Sequence, residues 1–289
     1  MPLPAVSRRP GQDSRNAPGH DGRAICARLA FACGAFLSVC VAARAETPGK
    51  PYAPVAAVFD RTAANDADLG ALLNVLRAAA QSHNGAALEA ALTPNFVALD
   101  CTASPLKACG PGKTKTIGAR GGRSIDRMRL AFCCEGKPSP DVPPDAQNDT
   151  MFAILGATLV TQSIGANPDA KGQVCMPALP RFDRALAAKA AKAAGVEPEN
   201  LRIAAAETPL FGMPAKDAPR IANLAAGDLA PVVADLTADT PPGWTAIGLP
   251  DGAIGYTDAL TLDELTPAAI CFSRDKGQWR IVATILRNS

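Results

Sequence analysis

The sequence predicts an α+β protein: a helix-rich N-terminal domain, then a small β-barrel, then a C-terminal β-hairpin. Three observations carry that expectation. Between residues 66 and 200 apolar residues recur at helical spacing. From Leu201 they come instead in seven short runs without helical period, divided by Pro, Gly and Asp. The whole chain has 289 residues, 48% hydrophobic and 19% charged, which is ordinary globular composition and enough for one or two domains. Aromatics are only 4%, so the cores must be built mainly from Leu, Ile, Val and Ala.

Residues 1–45 read as a secretory signal peptide. Arg8, Arg9, Arg15, Arg23 and Arg28 form a basic leader, and an uncharged apolar run follows from Leu29 to Ala43. Ala43-Arg44-Ala45 then gives an A-x-A cleavage pattern. As a helix that run reaches roughly 22 Å, short of the ~30 Å hydrocarbon core, so a cleaved signal fits better than a membrane anchor. The chain is thus expected to be exported, to the periplasm or cell envelope, and to meet the membrane only through this segment if it stays uncleaved. The leader holds six of the 29 Lys+Arg and two of the 27 Asp+Glu, which leaves 23 against 25. A net of −2 removes the bulk argument for nucleic-acid binding.

Residues 46–65 form a Pro- and Ala-bearing lead-in to the 66–200 domain. Asp66 and Asp68 can cap a helix whose stripe is Leu69, Leu72, Leu73 and Leu76. Asn84-Gly85 breaks it, and a second short helix runs to about Leu92. Thr93-Pro94-Asn95 turns the chain into a strand, Phe96 to Asp100. Regular structure is hard to find from Cys101 to Arg123. Ser124 caps a helix with Ile125, Met128 and Phe132. After a Pro-rich loop, a helix is expected from about Asp149 to Ser163, striped by Phe152, Leu155 and Leu159. Asp183 caps an Ala/Lys helix that Gly195 ends.

Six cysteines follow the leader: Cys101, Cys109, Cys133, Cys134, Cys175 and Cys271. An even number in an exported chain suggests a disulfide framework, and six allow 15 pairings. Neighbouring cysteines rarely bond, because a trans peptide strains the geometry. Cys133 and Cys134 are therefore expected to reach different partners, with Cys175 and one of Cys101 or Cys109 as candidates. Cys271, inside an apolar run, reads as a buried free thiol.

The barrel is expected over 201–262 and the hairpin over 263–289. Within it "GWTAIGLPDGAIGYT", Gly243 to Thr257, reads as two strands around a Pro250-Asp251-Gly252 turn. Alternation puts Trp244 and Tyr256 on one face, where they can meet across the strands. Together with "LFGMPAKDAP" and "RIANLAAGDLAPVV", this segment resembles a bacterial SH3-like domain of the SH3b type, over about residues 207–262. Met213-Pro214 stands where that family usually has Asn-Val-Arg. The resemblance implies an SH3-like β-barrel acting as a non-catalytic module that binds peptidoglycan, a cell-wall peptide or an envelope protein, or that holds an enzyme to its polymer. Trp244 and Tyr256 would be the contacts, with Asp251 at the rim.

No catalytic constellation is legible, and no cofactor is implied. After the leader only His83 remains, so a His-cluster metal site is excluded. The cysteines lack paired C-x-x-C spacing. "CGPGKTKT", Cys109 to Thr116, lacks the Gly that a phosphate loop needs, since Lys107 occupies that position. The basic residues Lys107, Lys113, Lys115, Arg120, Arg123, Arg127 and Arg129 around it offer a seat for an anionic envelope polymer. Two other readings compete: an envelope enzyme with its active site in 66–200 and the barrel as targeting module, and a purely structural protein with no free binding face.

Overall fold

The computed structural model describes residues 50–286, apart from 102–104, 119–120 and 162. The signal-peptide reading lies outside the described residues, as does Arg120 of the basic segment. The described residues fall in one compact unit. It is an α+β fold with six α-helices and three sheets, mostly antiparallel.

Four helices pack together in the first part of the chain: α1 (Ala67–Ser82), α2 (Gly85–Ala91), α3 (Ser124–Cys134) and α4 (Pro144–Val160). Their starts follow local chemistry in two cases. Asp66 accepts from the Leu69 N–H at 3.0 Å, and Asn84 accepts from the Ala87 N–H at 3.0 Å. At α3 the expected Ser124 cap is replaced. The Ser124 hydroxyl donates to Thr93 O, and the Ile125 N–H is taken by the Glu89 carboxylate, 2.7 Å away on α2. The last helix begins five residues earlier than its apolar stripe suggests, because Pro144 fits the first helical turn, where no N–H is needed.

These helices cover one face of a six-stranded sheet. Its strands are β1 (Leu92–Asp100), β2 (Thr116–Ile117), β3 (Gly165–Ala166), β4 (Gln173–Met176), β12 (Ala269–Asp275) and β13 (Gln278–Leu286), in the order β2-β1-β13-β12-β4-β3. Only the β1–β13 pairing is parallel. The C-terminal hairpin is thus the centre of this sheet, between strands from the first half of the chain. Burial explains its place. Ala269, Ile270, Cys271 and Phe272 are all buried, a continuous apolar run suited to a strand covered on both faces. Ile270, Phe272 and Ile281 join Leu69, Leu76 and Leu155 in the core under the helices. Cys271, Ala269 and Ile285 meet Leu99 and Cys175 on the other face.

Among the described residues three cysteine pairs stand at disulfide distance: Cys101–Cys109, Cys133–Cys134 and Cys175–Cys271. Two expectations are corrected. Cys133 and Cys134 pair with each other, because Cys101, Cys109, Cys175 and Cys271 are consumed on the far face of the sheet. Cys271 is no free thiol. It lies directly opposite Cys175 in the β12–β4 register, with Cα atoms 4.0 Å apart. That is near the spacing at which facing residues of an antiparallel pair come closest.

Arg274, at the end of β12, ties the hairpin to α1. It donates to Asp66 at 2.9 Å and Asp68 at 3.2 Å, and its guanidinium lies 5.1 Å from the Trp279 ring centroid. The Leu69 N–H and then Arg274 hold the Asp66 carboxyl below its ordinary value of 3.8. A depressed folded-state pKa adds stability above the unfolded value, and that stability is lost as pH falls through the folded one. Asp66→Asn keeps a good cap but removes the charge. Its thermal midpoint should therefore fall less than that of the wild type between about pH 5 and pH 2. Parallel curves for the two proteins would refute this.

The two smaller sheets follow α5 (Arg184–Ala194), which Asp183 caps by accepting from Ala185 and Leu186 N–H groups. Gly195 ends it at φ 72°, where a side chain would be strained. One sheet has the order β11-β5-β8, from β5 (Leu201–Ala204), β8 (Leu229–Pro231) and β11 (Leu262–Glu264). The other has the order β7-β6-β10-β9, from β6 (Thr208–Phe211), β7 (Arg220–Leu224), β9 (Trp244–Gly248) and β10 (Ile254–Asp258). Among the described residues no closed barrel forms. The sheets are joined by a Val232–Ile247 bridge and by a single 3₁₀ turn, Ala259–Thr261, between β10 and β11. The run "LAPVVADL", expected as a strand, divides into β8 and a short helix, α6 (Ala234–Ala238). The lead-in crosses this region as a strap. Leu229 N–H donates to Val55 O, Ala57 N–H to Gly227 O, and Val58 pairs with Arg181.

Candidate functional site

The β9–β10 hairpin closes as its sequence demands. Gly252 N–H donates to Leu249 O at 2.9 Å, Leu249 N–H donates to Ala253 O, and Gly252 takes φ 89°. A tight turn followed by a left-handed glycine keeps the flanking strands in register. Asp251 secures the turn by accepting from the Ala253 N–H at 2.9 Å.

Register puts Tyr256 opposite Ala246 and Asp258 opposite Trp244. Trp244 and Tyr256 therefore share a face as diagonal neighbours. Their surroundings differ. Tyr256 is 7% exposed, so it belongs largely to the packing. Trp244 is partly exposed at the start of the edge strand β9. The ring it meets edge-on is Phe211 of β6, with centroids 5.7 Å apart and planes at 80°. Phe211 is itself opposite Tyr256 in the β6–β10 pairing. Sequence reasoning passed over Phe211, although the signal was present: it ends the strand that alternates Thr208, Leu210 buried with Pro209, Phe211 part-exposed.

Two residues beyond Phe211, Met213 is 58% exposed in the β6–β7 loop. Ile221 on β7, 47% exposed, belongs to the other face of the sheet, where its side chain lies near Gly255 and Leu210. At the margin Arg220 pairs with Glu207, which also accepts from Asn223 Nδ2. On the other side Asp258 accepts from the Leu260 N–H. Trp244 is held in place by its backbone. Its N–H donates to Pro241 O, and its carbonyl accepts from the Thr240 hydroxyl at 3.0 Å.

Asp251 is not brought to this patch. It lies at the opposite end of β9, roughly 17–20 Å along the strand from Trp244. Its neighbour is Tyr52 of the lead-in strap, whose hydroxyl donates to Gly248 O at 2.7 Å and whose N–H donates to Pro250 O. Burial first, then the charges of Asp251 and Asp228, push the Tyr52 phenol far above its ordinary range.

Elsewhere four residues of the basic segment, Lys113, Arg123, Arg127 and Arg129, are engaged structurally. Lys113 donates to Asp169 O, Arg123 and Arg129 pair with Asp126, and Arg127 donates to Pro94, Phe96, Gly121 and Gly122 carbonyls. The "CGPGKTKT" segment folds back on itself, with Lys113 and Thr114 N–H groups both donating to Gly110 O. His83 Nδ1 is 3.1 Å from Asp149 and its ring stacks on Phe152, but the two polar side chains are 52% and 68% exposed, on open surface. Among the described residues no three His, Cys, Asp or Glu side chains converge as a metal site. No helix among them is long and apolar enough to cross a membrane.

The chain matches no family model, no curated protein and no solved structure. Its function is therefore read from the geometry of its own residues.

Proposed function

We propose that the protein is a non-catalytic binding or scaffolding protein of the periplasm or cell envelope, using a module of SH3-like type for peptidoglycan or an envelope protein. The observation that carries this is the partly exposed Trp244 standing edge-on to Phe211, with Met213 exposed two residues further along the chain, in a sequence with only two tryptophans. Rigid aromatic rings offer contact area at low entropy cost, and such residues dominate binding energy where they are left accessible. The two small sheets, in contact at the Val232–Ile247 bridge and joined by the 3₁₀ turn from β10 to β11, fit an opened barrel of that type. Three cysteine pairs fit an oxidising compartment, in keeping with an exported chain. The contact set becomes Trp244, Phe211 and Met213, with Tyr256 supporting the rings from within the sheet.

The test is sedimentation with insoluble peptidoglycan. The wild type should be retained, and Trp244→Ala and Phe211→Ala should each weaken retention about tenfold, the size of a hot-spot truncation. Near-ultraviolet circular dichroism of each variant checks that the fold survives. Equal retention of wild type and Trp244→Ala overturns the assignment.

A further inference from the structure

We propose that Cys133–Cys134 is a thiol–disulfide exchange site, and that its partner is a dithiol reductant of the C-x-x-C class. Two independent observations separate this pair from the other two. The first is its span. A cross-link stabilises a fold by removing loop entropy from the unfolded chain, and between neighbours there is almost no loop to close. The Cys101–Cys109 and Cys175–Cys271 pairs span 8 and 96 residues, so they act as staples; a bond between residues 133 and 134 does not. The second is access. Cys101, Cys109, Cys175 and Cys271 are between 0% and 6% exposed, whereas Cys133 and Cys134 are both part-exposed at the C-terminal end of α3. Exchange requires a thiolate to reach a sulfur, so accessible pairs react and buried ones resist.

The backbone around the pair has contacts of its own. Glu135 takes φ 50° and Gly136 φ 79°. Gly136 N–H donates to Leu130 O at 2.8 Å, and Lys137 N–H donates to Cys134 O at 3.0 Å. The turn then packs so closely on the end of β2 that a Cβ on Gly118 would stand 2.9 Å from Gly136 O. Helix and turn are thus fixed by contacts that do not use the sulfurs.

The chemistry balances in two steps. A thiolate of the reductant attacks one of the two sulfurs; a mixed disulfide forms, the 133–134 bond breaks, and the departing sulfur leaves as a thiolate that takes a proton. The reductant's second thiolate then attacks its own bridged sulfur, releasing the other cysteine as a thiolate that is protonated in turn. Two electrons and two protons end on Cys133 and Cys134, and the reductant ends as a disulfide.

The experiment uses the folded chain isolated from an oxidising compartment. It is titrated with dithiothreitol, alkylated with iodoacetamide under native conditions and peptide-mapped. Cys133 and Cys134 should be labelled together at about one-tenth of the reductant concentration that labels the other four. A second arm offers a C-x-x-C oxidoreductase whose resolving cysteine is serine. It should be trapped on Cys133 or Cys134 and not on the Cys133→Ser/Cys134→Ser variant, whose thermal midpoint should stay within about 2 °C of wild type. Labelling of Cys133 and Cys134 without reductant, co-labelling of all six, a bridge from either to a third cysteine, or no trapped complex overturns the proposal.

Discussion

Replacing Cys175 and Cys271 together by alanine should lower the unfolding free energy by about 4–5 kcal/mol, because the bond closes a loop of nearly a hundred residues. The same treatment of Cys101 and Cys109, only 8 apart, should cost about 2–3 kcal/mol. For Cys133 and Cys134 the cost should be near zero. The ranking follows from what each bond restrains in the unfolded chain. Cys175 lies on β4 and Cys271 on β12, so their bond fixes the register between the middle of the chain and its end before either folds. Both residues are fully buried, so truncation also leaves a small void that adds to the loss. Urea denaturation of the three double variants under oxidising conditions measures all three values. Equal losses would refute the assigned pairing.

A chain ending at residue 266 should show no cooperative thermal transition. On the sequence alone the 66–200 segment reads as a domain in its own right, and losing a terminal hairpin should matter little to it. The sheet says otherwise. Removing β12 and β13 strips β1 of its parallel partner and β4 of its antiparallel one, leaving only β1–β2 and β3–β4 contacts of two residue pairs each. Ile270, Phe272 and Ile281, each at most 1% exposed, leave the core under α1 and α4 at the same time. Losing one such side chain typically costs about 2–5 kcal/mol, and a whole domain is stable by only about 5–15 kcal/mol. Helical circular dichroism against temperature decides the matter. A sharp transition with retained helicity would sink the central placement of β12 and β13.

The limits of reading the chain in one dimension show at particular residues. Asp66 and Asp183 announced their helices because a cap acts within three residues of itself, whereas Asn84, read only as a break, proves to cap α2 in the same way. Glu89 could not announce its role at α3, 36 residues away, because nothing local marks a carboxylate that will meet another helix's first N–H. Trp244 and Tyr256 were rightly placed on one face by alternation, yet their different exposure depends on Phe211, which arrives from another strand. Asp251 was legible as a turn residue, and its separation from Trp244 follows from strand length, but its facing Tyr52 required the folded strap.

The sequence by itself determined the elements whose signal is periodic or local: the leucine stripes of α1 and α4, the capped Ala/Lys helix and the glycine-closed hairpin. Only the tertiary structure decided which elements become neighbours. The terminal hairpin entered the centre of the first sheet, Cys175 found Cys271, and Cys133 was left to Cys134. The reason is physical. Local geometry is set by forces that act over a few residues, whereas pairing is settled by which apolar faces can be buried together, and that choice belongs to the whole chain at once.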